Sequence, residues 1–154
     1  MTTKAYTGAG SALKYGTAST GPWTPVAQIK NIKPSGNKLK TVDITNLTSP
    51  TTTGGVVVDE LMTTTIDPGT YDCNGVANPG DPTYLQLMTL QSAATLEWFQ
   101  LLLPDGSTFV FQAYVTGFTP ADVDVTKPIE YTFKLTVSGP TTFTQAGTGY
   151  TTQE

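Results

Sequence analysis

The side chains that could carry out chemistry in this chain are few and of one kind. Its 154 residues include no histidine, no arginine, one cysteine and twelve carboxylates. Without histidine a Ser-His-Asp or Cys-His mechanism is impossible, and so are the common zinc sites. Cys73 lies between Asp72 and Asn74, beside a carboxylate that disfavours a thiolate. Asp122 and Asp124 sit two apart after Pro120, and Asp59 and Glu60 are neighbours. Glycoside hydrolysis needs two carboxyl groups roughly 5–10 Å apart across a cleft, and nothing in the pattern indicates one. These residues read as solvated loop carboxylates. Asp67, Asp72 and Asp81 scatter around Gly69, Asn74 and Gly75 without the dense D-x-[DN]-x-[DN]-G spacing of a calcium loop. Gly8 and Gly10 follow no strand and make no dinucleotide fingerprint. The expectation is a non-enzymatic protein with no catalytic, cofactor-binding or metal-ligating residues and no cofactor.

What the chain has instead is threonine, 31 of them. Charged residues make up 13%, about half the usual share. The apolar share of 38% and aromatic share of 10% point to a folded protein, since disordered chains go toward high charge and few aromatics. The length suits one domain with a real core. A net charge of −4 without arginine offers no footprint for gripping nucleic acid. The lone cysteine allows no intrachain disulfide, which fits a reducing compartment. MTTKAYTGAGSALKYG has no apolar signal region, and no run approaches the ~18 apolar residues of a membrane helix. A soluble protein made in a cytoplasm, with no membrane anchor, is expected.

The elements follow from pattern. Residues 1–22, rich in Gly, Thr, Ser and Ala, read as an N-terminal arm with no core of its own. Residues 23–33 give a first strand, starting after Pro25, and Pro34-Ser35-Gly36-Asn37 a turn. Residues 38–45 and 61–67 are strands joined through an uncharged loop, 46–60, as a long hairpin; Asp67-Pro68-Gly69 ends it. One helix is expected at 82–93, with Asp81 as N-cap and Pro82 at its first position. Tyr84, Leu87, Met88 and Gln91 share a face of it, widened by Leu85 and Leu90. Residues 95–103 turn at Pro104-Asp105-Gly106-Ser107 into 107–118. In 129–137 the residues Ile129, Tyr131, Phe133, Leu135 and Val137 alternate with polar ones, the mark of a half-buried antiparallel strand. A β domain over 23–139 and a C-terminal arm over 140–154 complete the division. The fold class is mainly β: an antiparallel sandwich or barrel with one flanking α-helix.

Four stretches carry no charge: 15–29, 44–58, 82–96 and 135–153. One core cannot account for low charge in loops, arms and a helix at once. Thr and Gln lose less than a charged group on desolvation, so surfaces covered by other copies explain it better. Residues 107–118 carry neither Lys nor Pro to guard a free strand edge, as if that edge were paired or covered.

From about Trp23 to Gly139 the chain resembles the major tail tube proteins of long, non-contractile-tailed bacteriophages. The residues that carry the resemblance are WTPVAQIKNIKPSGNKLKTVDITNLTS with its D-x-T from Asp43 to Thr45, LMTTTIDPGTYD, the Asp81-Pro82 helix, LLLPDGSTFVFQAYVTGF and FKLTVSGP. The resemblance implies a subunit whose sheets join in hexameric rings, stacked into a tube through which the genome leaves the virion. It implies relatives in type VI secretion tubes and contractile tails. It implies homo-oligomerisation in the tail, after assembly in the host cytoplasm, and partners in tape-measure, tail-tip and tail-terminator proteins, with DNA passing without specific binding. Carried onto this chain, the inter-ring stacking loop holds Thr48, Pro50, Thr52, Gly54, Gly55 and Val57. The subunit-interface helix presents Tyr84, Leu87, Met88 and Gln91, and Asp43 is placed toward the lumen. A ring of six copies at −4 each carries a formal charge of −24, which would not hold duplex DNA. The competing reading is a monomeric immunoglobulin-like adhesin module, with Asn46, Tyr71 or Trp98 touching a ligand. The uncharged arms speak against it.

Overall fold

The computed structural model describes residues 8–26, 28–77, 80–120 and 123–145. In chain order the elements are β1 (Ala12–Gly16), β2 (Thr24–Pro25), β3 (Ile29–Pro34), β4 (Lys38–Asp43), β5 (Leu61–Asp67), β6 (Thr70–Val76), α1 (Pro82–Ala93), β7 (Glu97–Leu102), β8 (Thr108–Pro120) and β9 (Glu130–Thr144). Seven strands form one sheet in the order β2-β1-β7-β8-β9-β6-β3, and β4 and β5 form a separate two-stranded sheet. Every pairing is antiparallel. The mainly β class with one helix therefore holds, as an open curled half-barrel.

Period-two alternation builds the core. On β9 Tyr131, Phe133, Leu135 and Val137 are buried, while Thr132 and Lys134 face out. Phe111, Ala113 and Val115 of β8 and Phe99 and Leu101 of β7 join them. Each large apolar side chain contributes about 1.5–3 kcal/mol on full burial. Tyr71 stacks on Phe111 with centroids 4.6 Å apart, and Phe118 stacks on Tyr131 at 5.8 Å. β8 and β9 are long enough to serve both halves of the sheet. Their register shifts at Val110/Gln112 and Val115/Gly117, and such bulges bend a strand pair.

The helix occupies 82–93 as expected. The Asp81 carboxylate accepts from Thr83 N at 2.8 Å and from its hydroxyl at 2.7 Å, and Ala94 ends the helix in the left-handed region. Thr83, Leu87 and Leu90 are buried beneath it, against β8. Glu97 is buried on the core side of β7, where desolvation pushes its carboxyl above the ordinary value.

Four expectations need correction. Residues 12–16 are not arm: they form β1, between β2 and β7, and Leu13 is fully buried. The stretch 23–33 is not one strand. It breaks into β2 and β3, with Gln28 at φ 58 between them. β6, which pairs with both β3 and β9, escaped notice because the residues it buries include Cys73 and Gly75, which carry little apolar signal. Gly75 must be glycine, because a Cβ there would meet the Gln28 carbonyl. At the other end, β9 runs on to Thr144, into the expected C-terminal arm; residues 146–154 lie outside the described part.

β3–β4 and β5–β6 are in effect one long hairpin with a kink. At the kink Ser35 N donates to Thr70 O, and Thr70 N donates back to Ser35 Oγ, both at 2.8 Å. Gly69 N donates to Asp67 Oδ1 at 3.0 Å, and Val137 N donates to Gly69 O at 3.1 Å. Gly36 and Gly69 both have positive φ, but only Gly69 is crowded: a Cβ there would run into the Gly36 carbonyl and the Ser35 hydroxyl.

Two predictions follow from this architecture. Leu13→Ala should lower unfolding stability in denaturant by about 2–5 kcal/mol; an unchanged midpoint would mean that 12–16 is peripheral after all. Gly69→Ala should lose amide-exchange protection at Thr70 and Val137 and drop the thermal midpoint further than Gly36→Ala. The latter meets only the left-handed backbone penalty of about 1–2 kcal/mol. Equal effects would show that close approach at the kink is not what fixes the hairpin.

Candidate assembly surfaces

The β4–β5 hairpin stands outside the core. Lys38 pairs with Asp67, Leu39 with Ile66, Thr41 with Thr63, Val42 with Met62 and Asp43 with Leu61. Alternation places Leu39, Ile66 and Leu61 on one face and Val42 and Met62 on the other. All of them are exposed, Leu39 by 58% and Ile66 by 63%. An isolated two-stranded hairpin is marginal in water, and apolar residues on both faces ask for cover on both sides.

The tip is ordered by its own polar groups. Ile44 N donates to Glu60 O at 2.9 Å and Glu60 N donates to Thr45 Oγ1 at 2.8 Å. The Ser49 hydroxyl is buried between two partners: it accepts from Asn46 N at 2.8 Å and donates to Glu60 Oε2 at 2.9 Å. Val58 N donates to Pro50 O, and Thr51 bridges Val57 across a turn closed by Gly55 N donating to Thr52 O at 2.9 Å. Thr48, Pro50, Thr52, Gly54, Gly55 and Val57, the expected stacking residues, all lie exposed on this tip. Leu47, Val56 and Val58, not singled out from the sequence, are exposed beside them. The signal was available in charge-free 44–58, which holds all three.

The helix residues divide. Leu87 is fully buried in its own subunit, and Tyr84 packs edge-on to Phe118 and Tyr131 at 5.1 and 5.5 Å. Both pack into the subunit's own core; Leu87, expected at a subunit interface, has no exposed surface left for one, whereas Tyr84 is half-buried. Met88 and Gln91 are exposed, together with Leu85.

The carboxylates share a structural use that the sequence reading recognised only at the Asp81 cap. Asp43, Asp67, Asp81, Asp105 and Asp124 each accept the backbone N–H of the residue two positions on, at 2.8–3.0 Å. This is the Asx-turn geometry, and Thr, Ser or Gly stands at the receiving position each time. The hydrogen bonds from Thr45, Thr83 and Thr126 hold the carboxyls of Asp43, Asp81 and Asp124 below the ordinary value. Asp122 lies outside the described residues. Cys73 is buried, and desolvation, with the Asp72 charge adding, pushes its thiol up to about 12. Among the described residues no three His, Cys, Asp or Glu side chains converge as metal ligands would. Asn46, Tyr71 and Trp98 form no common site. Asn46 bonds within the hairpin tip, Tyr71 is buried against Phe111, and Trp98 lies on β7.

The chain is similar in structure to several tubes. It matches the tail of an empty gene transfer agent particle, refined with C6 symmetry, at a TM-score of 0.72 and 20% identity, covering 92% of this chain and 100% of that one. The tube-terminating cap of the anti-feeding prophage gives 0.69 at 11% identity, with 95% of each chain covered. The SPP1 tail tube gives 0.56 at 11% identity, with 86% and 75% covered. At these identities the likeness establishes the fold. No curated protein matches the chain. The family model of the lambda phage tail tube protein matches residues 4–144, nearly the whole length, so the chain belongs to the lambda phage tail tube protein family and is a structural tube subunit of a virion tail.

Proposed function

We propose that copies of this chain form six-membered rings that stack into a hollow tube, and that the β4–β5 hairpin is the element that reaches the next ring. The tube is a conduit for DNA ejection, and the subunit is structural rather than catalytic. One observation carries the stacking role: the hairpin is internally ordered, yet it leaves Leu39, Leu47, Val56, Leu61 and Ile66 uncovered by its own body. The C6 symmetry of the gene transfer agent tail supports the six-fold ring. The caps and terminators among the similar structures support end-capping partners. Membership in a tube family weighs against the monomeric adhesin.

In this reading the lumen is lined by the polar face of β3, β6, β9 and β8. There Lys33, Asp72 and Lys134 stand in one cross-strand row, and Asn31, Asn74, Thr132 and Thr119 in the next. Mixed charges and threonines give duplex DNA little to hold. Asp43 belongs to the separate β4–β5 sheet, and its carboxylate is engaged by Thr45.

Deleting residues 47–57 tests the stacking role. The truncated protein should keep its fold, because those residues add nothing to the buried core, and should remain soluble without extending into tubes in electron micrographs. Tubes of normal length from the deletion variant would refute the role of the hairpin tip.

A further inference from the structure

One acidic side chain is set inside the core. Glu97 opens β7 on the face that Phe99 and Leu101 bury, and it is only 9% exposed. Cross-strand register puts it in one row with Ala113 of β8 and Val137 of β9, both buried. The next row holds Tyr15, Phe99 and Phe111. Directly opposed residues share a face of the sheet. The Glu97 side chain is therefore surrounded by aliphatic and aromatic carbon, with Tyr15 on the diagonal.

No cation balances it. The one ion pair among the described residues joins Lys30 to Glu130. On β1, Lys14 pairs with Gln100, and alternation turns it to the opposite face. β8 and α1 carry no charged residue, and Lys134 of β9 faces out. The charged group ahead of α1 is Asp81, also negative, and the Tyr15 phenol feels both Asp81 and Glu97. The backbone of Trp98 gives Glu97 a hydrogen bond, but burial outweighs it and pushes the carboxyl above its ordinary value of 4.5. An unpaired charge is costly to bury, so such a group holds its proton to higher pH than usual.

We propose that Glu97 is an acid-favoured latch on the N-terminal edge of the sheet: with its carboxyl protonated β7 holds β1, and through it β2, and ionisation loosens both. These are the last two strands on that side, so a buried charge is relieved there with the least disturbance of the remaining core. The device belongs to the single subunit and does not depend on how copies assemble. A carboxyl raised by folding contributes stability that is complete below 4.5 and is lost as the pH rises through the raised value. The other shifted groups titrate outside that window. Asp43, Asp81 and Asp124 act in the opposite sense, losing their contribution as the pH falls from 3.8 toward their lowered values. Tyr15, Tyr71 and Tyr131, raised from 10.0, and Cys73, at about 12, keep their protons throughout.

Thermal unfolding of the full chain tests the latch, with wild type and Glu97→Gln compared at about pH 5 and about pH 8. Glutamine keeps the size of the side chain and removes its charge. Near the higher pH the variant should unfold a few degrees above the wild type, and the gap should close near the lower pH. Amide-exchange protection along Ala12–Gly16 should follow the same course. Asp59→Asn, at an exposed carboxylate, controls for net charge and should leave the midpoint where it is. A gap that is absent, reversed or equal at both pH values would overturn the latch, and so would an equal gain from Asp59→Asn. Carbon-13 NMR of the Glu97 carboxyl in the wild type gives an answer even where the variant does not fold. A titration midpoint above the ordinary glutamate value is expected, and one at or below it would overturn the proposal.

Discussion

The structure turns on a hairpin that cannot bury its own apolar side chains. The seven-stranded sheet and α1 complete a core within one subunit, with Leu13, Leu87, Phe99, Phe111 and Leu135 fully enclosed. β4 and β5 extend beyond that core and, among the described residues, pair only with each other. Two strands have two faces and no layer to cover either, so Leu39 with Ile66 and Val42 with Met62 remain in water unless another chain supplies the cover. At roughly 25 cal/mol per Å² of apolar surface, covering both faces of such a hairpin is a large drive toward assembly. The kink at Gly36 and Gly69 sets where that drive is aimed.

The unusual composition makes sense in these terms. Threonine suits strands, and its hydroxyl closes local bonds. It pairs with carboxylates in the Asp-x-Thr turns and with itself across strands, as Thr116 and Thr136 do at 2.9 Å. Of the eight aspartates, five are spent on turns. The chain thus obtains ordered loops with few free charges, and its remaining surface can be desolvated cheaply against neighbours.

Much of the fold was legible from the sequence, for identifiable reasons. The helix announced itself through Asp81-Pro82, and β9 through its strict alternation. β7 and β8 followed from the Pro104-Asp105-Gly106 turn. The failures occurred where the period-two signal was diluted. β6 buries a cysteine and a glycine, so its central place was invisible. β1 sits among Gly, Ser and Ala, and a single Leu13 was not enough to mark it as core. For the assembly surface, the uncharged tip drew attention to residues 46–60, but helix periodicity could not say which face meets its own sheet. Tyr84 and Leu87 went inward, Met88 and Gln91 outward. Periodicity groups residues onto faces; the partner of each face is decided by tertiary packing.

The most direct test of the central claim, that other copies complete the surface this subunit leaves open, is electron microscopy of the concentrated wild-type protein. Mass would be measured by light scattering on the same sample. Six-fold rings or hollow filaments, with mass rising with concentration, are the expected result. A monodisperse monomer at every concentration, unchanged by addition of a preformed tail tip, would contradict it.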